Sequence, residues 1–194
     1  MAREDQKMRS DSVRQAILDT ALQIGLEEGF EAISIRKIIT RIKYSTGVVY
    51  HHFKDKQEII DAIEASETAK YYSVISQLVD DSADAITNML TVFRRSTQLA
   101  LEEPEKYNLI VLHKYSRHQS SPSPWISHIA GNLEKEMQAG RIKRMDPNYA
   151  AFSIWSSFLG FNLMISRMQG LTQQRADEMF QVQSEIIIKG VLNR

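Results

Sequence analysis

Between residues 34 and 56 stands a run of side chains suited to gripping an anionic polymer. Ser45 and Thr46 offer short hydroxyls that reach phosphate oxygens or base edges. Gly47 has no side chain and lets its backbone come close to a neighbouring surface, while Val48 is apolar and suits a thymine methyl. Tyr50, His51 and His52 add polar groups carried on rings. Arg36 and Lys37 on one side and Lys54 and Lys56 on the other bracket this stretch with positive charge, the chemistry of phosphate-backbone contact.

Chemistry of this kind requires rigid elements, and the spacing supplies them. Ser34, itself a candidate DNA contact, is an N-cap residue for a short helix over Arg36–Ile42, whose Ile38, Ile39 and Ile42 turn inward. A tight break at Lys43–Tyr44 follows, and Ser45 opens a second short helix running to Phe53, which turns back to the core. Asp55 then caps a long helix from Lys56 to about Val79, and the free N–H groups at that start also favour a phosphate. Upstream, Asp11 or Ser12 begins a supporting helix with Val13, Ile17, Ala21 and Ile24 in one stripe, and Gly29 ends it. A supporting helix followed by two short ones is helix-turn-helix geometry, which lays the second short helix in the major groove of DNA.

The segment SIRKIITRIKYSTGVVYHHFKDKQEII resembles the amino-terminal domain of TetR-family transcriptional regulators. The matching features run from Ile38 through Ser45, Gly47, Tyr50 and Phe53 to Lys54-Asp55-Lys56, and the Glu27-Glu28-Gly29-Phe30 ending of the preceding helix also agrees. Where the family usually has alanine, glycine and valine, this chain has Ile42, Lys43 and Tyr44. A left-handed backbone at the glycine position would cost a lysine roughly 1 kcal/mol.

Apolar residues recur every three or four positions over most of the remaining length, so the chain is expected to be all-α. About nine helices are expected, in an amino-terminal three-helix helix-turn-helix domain and a carboxy-terminal antiparallel helical bundle. Residues 1–10 read as a flexible arm, 11–56 as the DNA-binding domain and 57–194 as a ligand-binding and dimerisation domain. Further helices are expected over Ala83–Leu101, Pro104–Tyr115, Pro124–Gly140, from Pro147 to near Gly170, and over Thr172–Leu192. The resemblance implies a homodimer on a two-half-site operator, released by a small molecule held in the second domain. Candidates for the seam between copies are Ala151, Ile154, Phe158, Phe161, Ile187 and Val191. Phe93, Thr97, Tyr107, His113, Tyr115, Trp125, Ile129 and Trp155 are candidates for an apolar pocket with a few polar tips. A regulator controlled by a protein partner, with no small ligand, is the alternative.

Bulk composition excludes other classes. Lys+Arg and Asp+Glu are equal at 24 each, so any affinity for DNA has to be local. With no cysteine there is no disulfide, zinc ribbon or thiol nucleophile. The chain contains no Gly-rich phosphate loop, no His-Glu-x-x-His and no Gly-x-Ser-x-Gly, so no enzymatic activity and no cofactor are expected. His113 and His118 lack nearby carboxylates, which argues against a metal. The polar amino terminus and the serines and asparagines that interrupt residues 147–166 point to a cytoplasmic protein without a membrane span.

Overall fold

The computed structural model describes residues 2–80, 82–112 and 124–192. Among these the chain forms nine α-helices and two short non-α turns. It divides into two compact units, Met1–Tyr71 and Tyr72–Arg194, so the division falls inside a helix, downstream of the expected boundary at residue 56.

In the first unit, α1 (Ala2–Glu28) begins at the extreme amino terminus, and the arm expected over residues 1–10 is helical instead. No proline or glycine interrupts residues 2–24, and Ala, Arg, Glu, Gln, Lys and Met are strong helix formers, so nothing stops the helix extending. Its apolar stripe is the expected one, with Ile17, Ala21 and Ile24 fully enclosed. Gly29 departs from the helix with φ 87°, ψ 147°, a conformation open only to glycine, and a 3₁₀ turn (Phe30–Ala32) folds Phe30 back over Gly25. A Cβ on Gly25 would lie 2.6 Å from the Phe30 ring, so glycine is what permits that approach. Helices α2 (Ile35–Ile42) and α3 (Thr46–His52) pack on α1 and on each other. Ile33, Ile38, Val49, Phe53, Ile59, Ile60 and Ile63 complete this core, the last three from α4 (Lys56–Leu78).

In the second unit, α5 (Ala85–Glu102) packs against α6 (Pro104–Tyr107), α7 (Pro124–Gln138), α8 (Pro147–Ile165) and α9 (Gln173–Val191). Three of these starts are capped as the residue types require: Asp84 accepts from the Thr87 N–H, Asp146 from those of Asn148 and Tyr149, and Thr172 from that of Arg175. A π turn over Asn108–Leu112 extends α6. Helix α8 stops at Ile165, short of Gly170, because the N–H groups of Arg167 and Met168 bond to the carbonyls three residues back and tighten the last turn. The core is aromatic. Phe93 stacks on Phe158 at 4.0 Å, Phe158 meets Phe180 at 5.6 Å, and Trp155 lies between Phe93 (6.2 Å) and Trp125 (5.9 Å). The half-exposed Tyr72 lies flat on Trp125 at 4.9 Å and closes the row. No helix among the described residues is long and apolar enough to cross a membrane.

Candidate nucleic-acid interface

Helix α3 is only seven residues long, and two inward side chains decide which way it faces. Val49 is fully enclosed, and Phe53, the residue just after the helix, is buried beneath the guanidinium of Arg14, which lies 4.9 Å above its ring. With those positions fixed, the 3.6-residue period turns Thr46, Gly47, Tyr50 and His51 outward, and Tyr50 is 53% exposed. Val48 and His52 sit half-buried on the flanks. The His51 and His52 rings meet edge to face at 5.2 Å. Burial first, then the positive charges of His51 and Arg14, hold the His52 pKa below its ordinary value.

Ser45 is exposed and behaves differently from the sequence expectation. Its carbonyl accepts the N–H groups of Val48 and Val49, but its hydroxyl makes no capping bond. Gly47 is not required by the fold, since a Cβ there would meet only Ser45 Oγ, at 3.9 Å. Glycine inside a helix costs about 1 kcal/mol against alanine, and what it leaves is a flat place on the outward face. Ser34 does cap α2, accepting from the Lys37 N–H at 3.2 Å.

The flanking cations are not equivalent. Arg36, Lys54 and Lys56 are exposed. Lys37, by contrast, donates to Glu28 at 2.6 Å, and Arg41 spans Glu27 (2.7 Å) and Glu28 (2.9 Å). Lys37 and Arg41 together hold the Glu28 carboxyl below the usual carboxylate range. This cluster joins the end of α1 to α2 across 9 to 14 positions of sequence, so no local spacing announces it. The start of α4 is similarly occupied, with Asp55 accepting from the Glu58 N–H and Glu58 from the Lys54 N–H.

Between α2 and α3, Lys43 takes φ 58°, ψ 26°, the left-handed conformation expected of the missing glycine. It is the one non-glycine residue with positive φ among the described residues, at a cost of about 1 kcal/mol.

Residues 17–63 match the family model described as bacterial regulatory proteins, tetR family, a span that contains the whole of α2 and α3. Residues 17–63 thus carry a TetR-family amino-terminal domain. The chain is 27% identical over 120 residues to the HTH-type transcriptional repressor AcnR of Corynebacterium glutamicum, covering 59% of this chain and 57% of that protein. With the A-factor receptor protein of Streptomyces griseus it shares 28% identity over 173 residues, covering 83% of this chain and 58% of the relative. The chain thus spans less than three fifths of either relative's length. The fold matches AibR, solved in complex with isovaleryl coenzyme A and operator DNA, with a TM-score of 0.66 at 22% identity over 88% of this chain and 97% of that one. The curated relatives bearing functional names are transcriptional regulators and a receptor protein, not enzymes.

In the second unit most of the expected site residues are buried. Ala151, Ile154, Phe158 and Val191, expected on a seam between copies, are buried within their own chain, and Phe161 and Ile187 are half-buried. A side chain already enclosed has no surface to offer a second copy. The apolar groups left outside are Tyr149 (77% exposed), Phe152, Leu163 and Met164 (70%) on α8, with Met179, Val182 and Ile186 (66%) on α9. Phe93, Thr97, Tyr107, Ile129 and Trp155, expected around a pocket, are buried; Phe93, Trp155 and the half-buried Trp125 spend their faces on one another. Thr97 Oγ1 lies 2.7 Å from the buried Asn162 Oδ1. His113 and Tyr115 lie outside the described residues. A groove of about 470 Å³ does open between α5 and α9, but Leu90, Arg94, Phe180, Ser184 and Ile188 are among its walls and none of the expected residues is.

Proposed function

We propose that this protein is a homodimeric, sequence-specific DNA-binding repressor of transcription that works in the cytoplasm and is released from a two-half-site operator by a small molecule. The outward face of α3 carries this reading. A short helix anchored by Val49 and Phe53 presents Thr46, Gly47, Tyr50 and His51 together, with exposed Arg36, Lys54 and Lys56 beside them for phosphates. Val48 and His52 reach the same groove from the flanks, and Lys37 contributes through its positioning of Glu28 and α1. A mobility-shift titration against duplexes drawn from the region upstream of the coding sequence tests it. Salt-sensitive, sequence-dependent binding is expected; uniform affinity for all duplexes overturns the reading.

Dimerisation rests on the exposed apolar stripes of α8 and α9, which are adjacent through Phe158 and Phe180. Replacing both Phe152 and Ile186 by arginine should leave a folded monomer in sedimentation equilibrium, and an unchanged dimer would remove that interface. An effector site is supported by Asn108 Oδ1 in the π turn, a buried acceptor without a hydrogen-bond partner among the described residues. Bound effector would favour a state whose two heads no longer match the half-sites, by its difference in affinity for the two states. Control by a protein partner is favoured instead by the ring-on-ring packing of Phe93, Trp125 and Trp155. A thermal-shift screen with small apolar acids, ketones and coenzyme A thioesters separates the two, since a partner-controlled regulator gives no hit that also releases DNA.

A further inference from the structure

Two positions in the reading head hold the opposite of what folding asks. At position 47 the fold has room for a side chain and the chain has glycine. At position 43 the backbone is left-handed, the conformation glycine adopts freely, and the chain has lysine. Gly47 exposes backbone on the outward face of α3; Lys43 adds a charge two residues before Ser45, beside the leading end of the same helix.

That charge has no use within the fold. Lys37 and Arg41, the nearest cations on α2, are held by Glu27 and Glu28. The side chain of Lys43 is exposed and, among the described residues, forms no ion pair. Its backbone N–H already closes the end of α2 on the Ile39 carbonyl, a bond that any residue other than proline would make. Neither packing nor pairing therefore accounts for a lysine at a place where strain favours glycine.

We propose that Lys43 is an additional phosphate contact, reaching from the turn to the DNA backbone beside the start of α3. The ammonium on its flexible stem acts as a point charge, so the contact adds affinity and salt dependence without reading sequence. This rests on the DNA-binding reading above and extends it to a residue outside the segment's two short helices.

Three variants test it, using a duplex enriched by the wild-type protein from a random-sequence library and a scrambled duplex of equal length. Lys43→Gly relieves the backbone and removes the charge, so the protein should melt at a higher temperature and yet bind both duplexes about three- to tenfold more weakly. The slope of log affinity against log salt should fall by about one for each bound head, with the preference between the two duplexes preserved. Lys43→Asn, which tolerates the left-handed conformation, should bind as weakly as the glycine variant; Lys43→Arg should keep the wild-type slope. An unchanged slope in Lys43→Gly, or a weakening confined to the enriched duplex, overturns the phosphate contact and leaves the head's DNA binding standing. Failure of the wild-type protein to enrich any duplex is a different result, because it removes the underlying reading.

Discussion

The two units use their side chains in opposite ways. In Met1–Tyr71 a core dominated by isoleucines, with Leu18, Ala21, Phe30, Val49, Phe53 and Tyr71, holds three short elements so that polar and small residues of α3 look outward. In Tyr72–Arg194 the rings of Tyr72, Trp125, Trp155, Phe93, Phe158 and Phe180 turn toward one another in a continuous row, and α8 and α9 also leave apolar residues facing outward. The first arrangement shapes a polar surface, whereas the second spends its large rings on cohesion. Contact chemistry in the head is therefore separable from stability. In the second unit the residues that attract attention in the sequence are the ones that hold it together.

The largest test of that contrast is Phe158→Ala, which removes a fully enclosed ring stacked on Phe93. Denaturant unfolding should show a loss of about 3–5 kcal/mol; a loss below about 1 kcal/mol would mean the aromatic row is not a core. Next comes Glu136, a buried carboxylate on α7 that accepts from Arg141 and from the N–H of Ala85 at the start of α5. Glu136→Gln should cost roughly 1–2 kcal/mol near neutral pH, reduced from a fully buried ion pair because Arg141 is half in solvent. The Glu136 carboxyl lies below its ordinary 4.5 in the folded chain, chiefly through the Arg141 hydrogen bond. Its contribution is then complete above that value and lost as pH falls through the folded one, so the wild-type advantage should shrink on acidification below about pH 4.5.

In the head the expectation reverses. Tyr50→Ala should leave the unfolding midpoint within about 0.5 kcal/mol of wild type, since the ring is more than half exposed. Affinity for operator DNA should fall about tenfold, or ~1.4 kcal/mol, in a fluorescence-anisotropy titration. A Tyr50 variant that melts early and binds normally would erase the difference between the two regions.

The smallest effect belongs to His52. Because its folded pKa is depressed, the unfolded chain binds a proton that the folded chain declines, and stability falls as pH drops from 7 through the ordinary value of 6.5. His52→Gln should flatten that part of the melting profile. A steeper profile in the variant would contradict the burial assigned to the ring.

The helix-turn-helix was legible because its information is local. Ser34, Val49, Phe53 and Asp55 lie within about twenty positions of one another, and a 3.6-residue period converts their spacing directly into faces. The same spacing located the outward residues of α3 and the strained turn at Lys43. It missed the Glu27–Glu28 pairing of Lys37 and Arg41, and it missed Arg14 over Phe53, because those partners meet only when α1 folds against the two short helices. Residues 1–10 differ from expectation for the reverse reason, since a polar helix and a polar arm have the same composition.

For the second unit the period identified the helices but not which apolar stripe meets which neighbour. Ala151, Ile154 and Phe158 share one face of α8, with Tyr149, Phe152 and Met164 on the other, and composition alone ranks both as buried. Local spacing thus sets the all-α class, the helix-turn-helix and the orientation of its short helix, each encoded in contacts a few residues apart. Packing of the helices sets which cations beside α3 are already neutralised, which apolar residues of α8 and α9 stay exposed, and that Phe93, Trp155 and Phe158 form a core. Those outcomes depend on pairs of residues tens of positions apart, where apolar burial has no direction until the helices are packed.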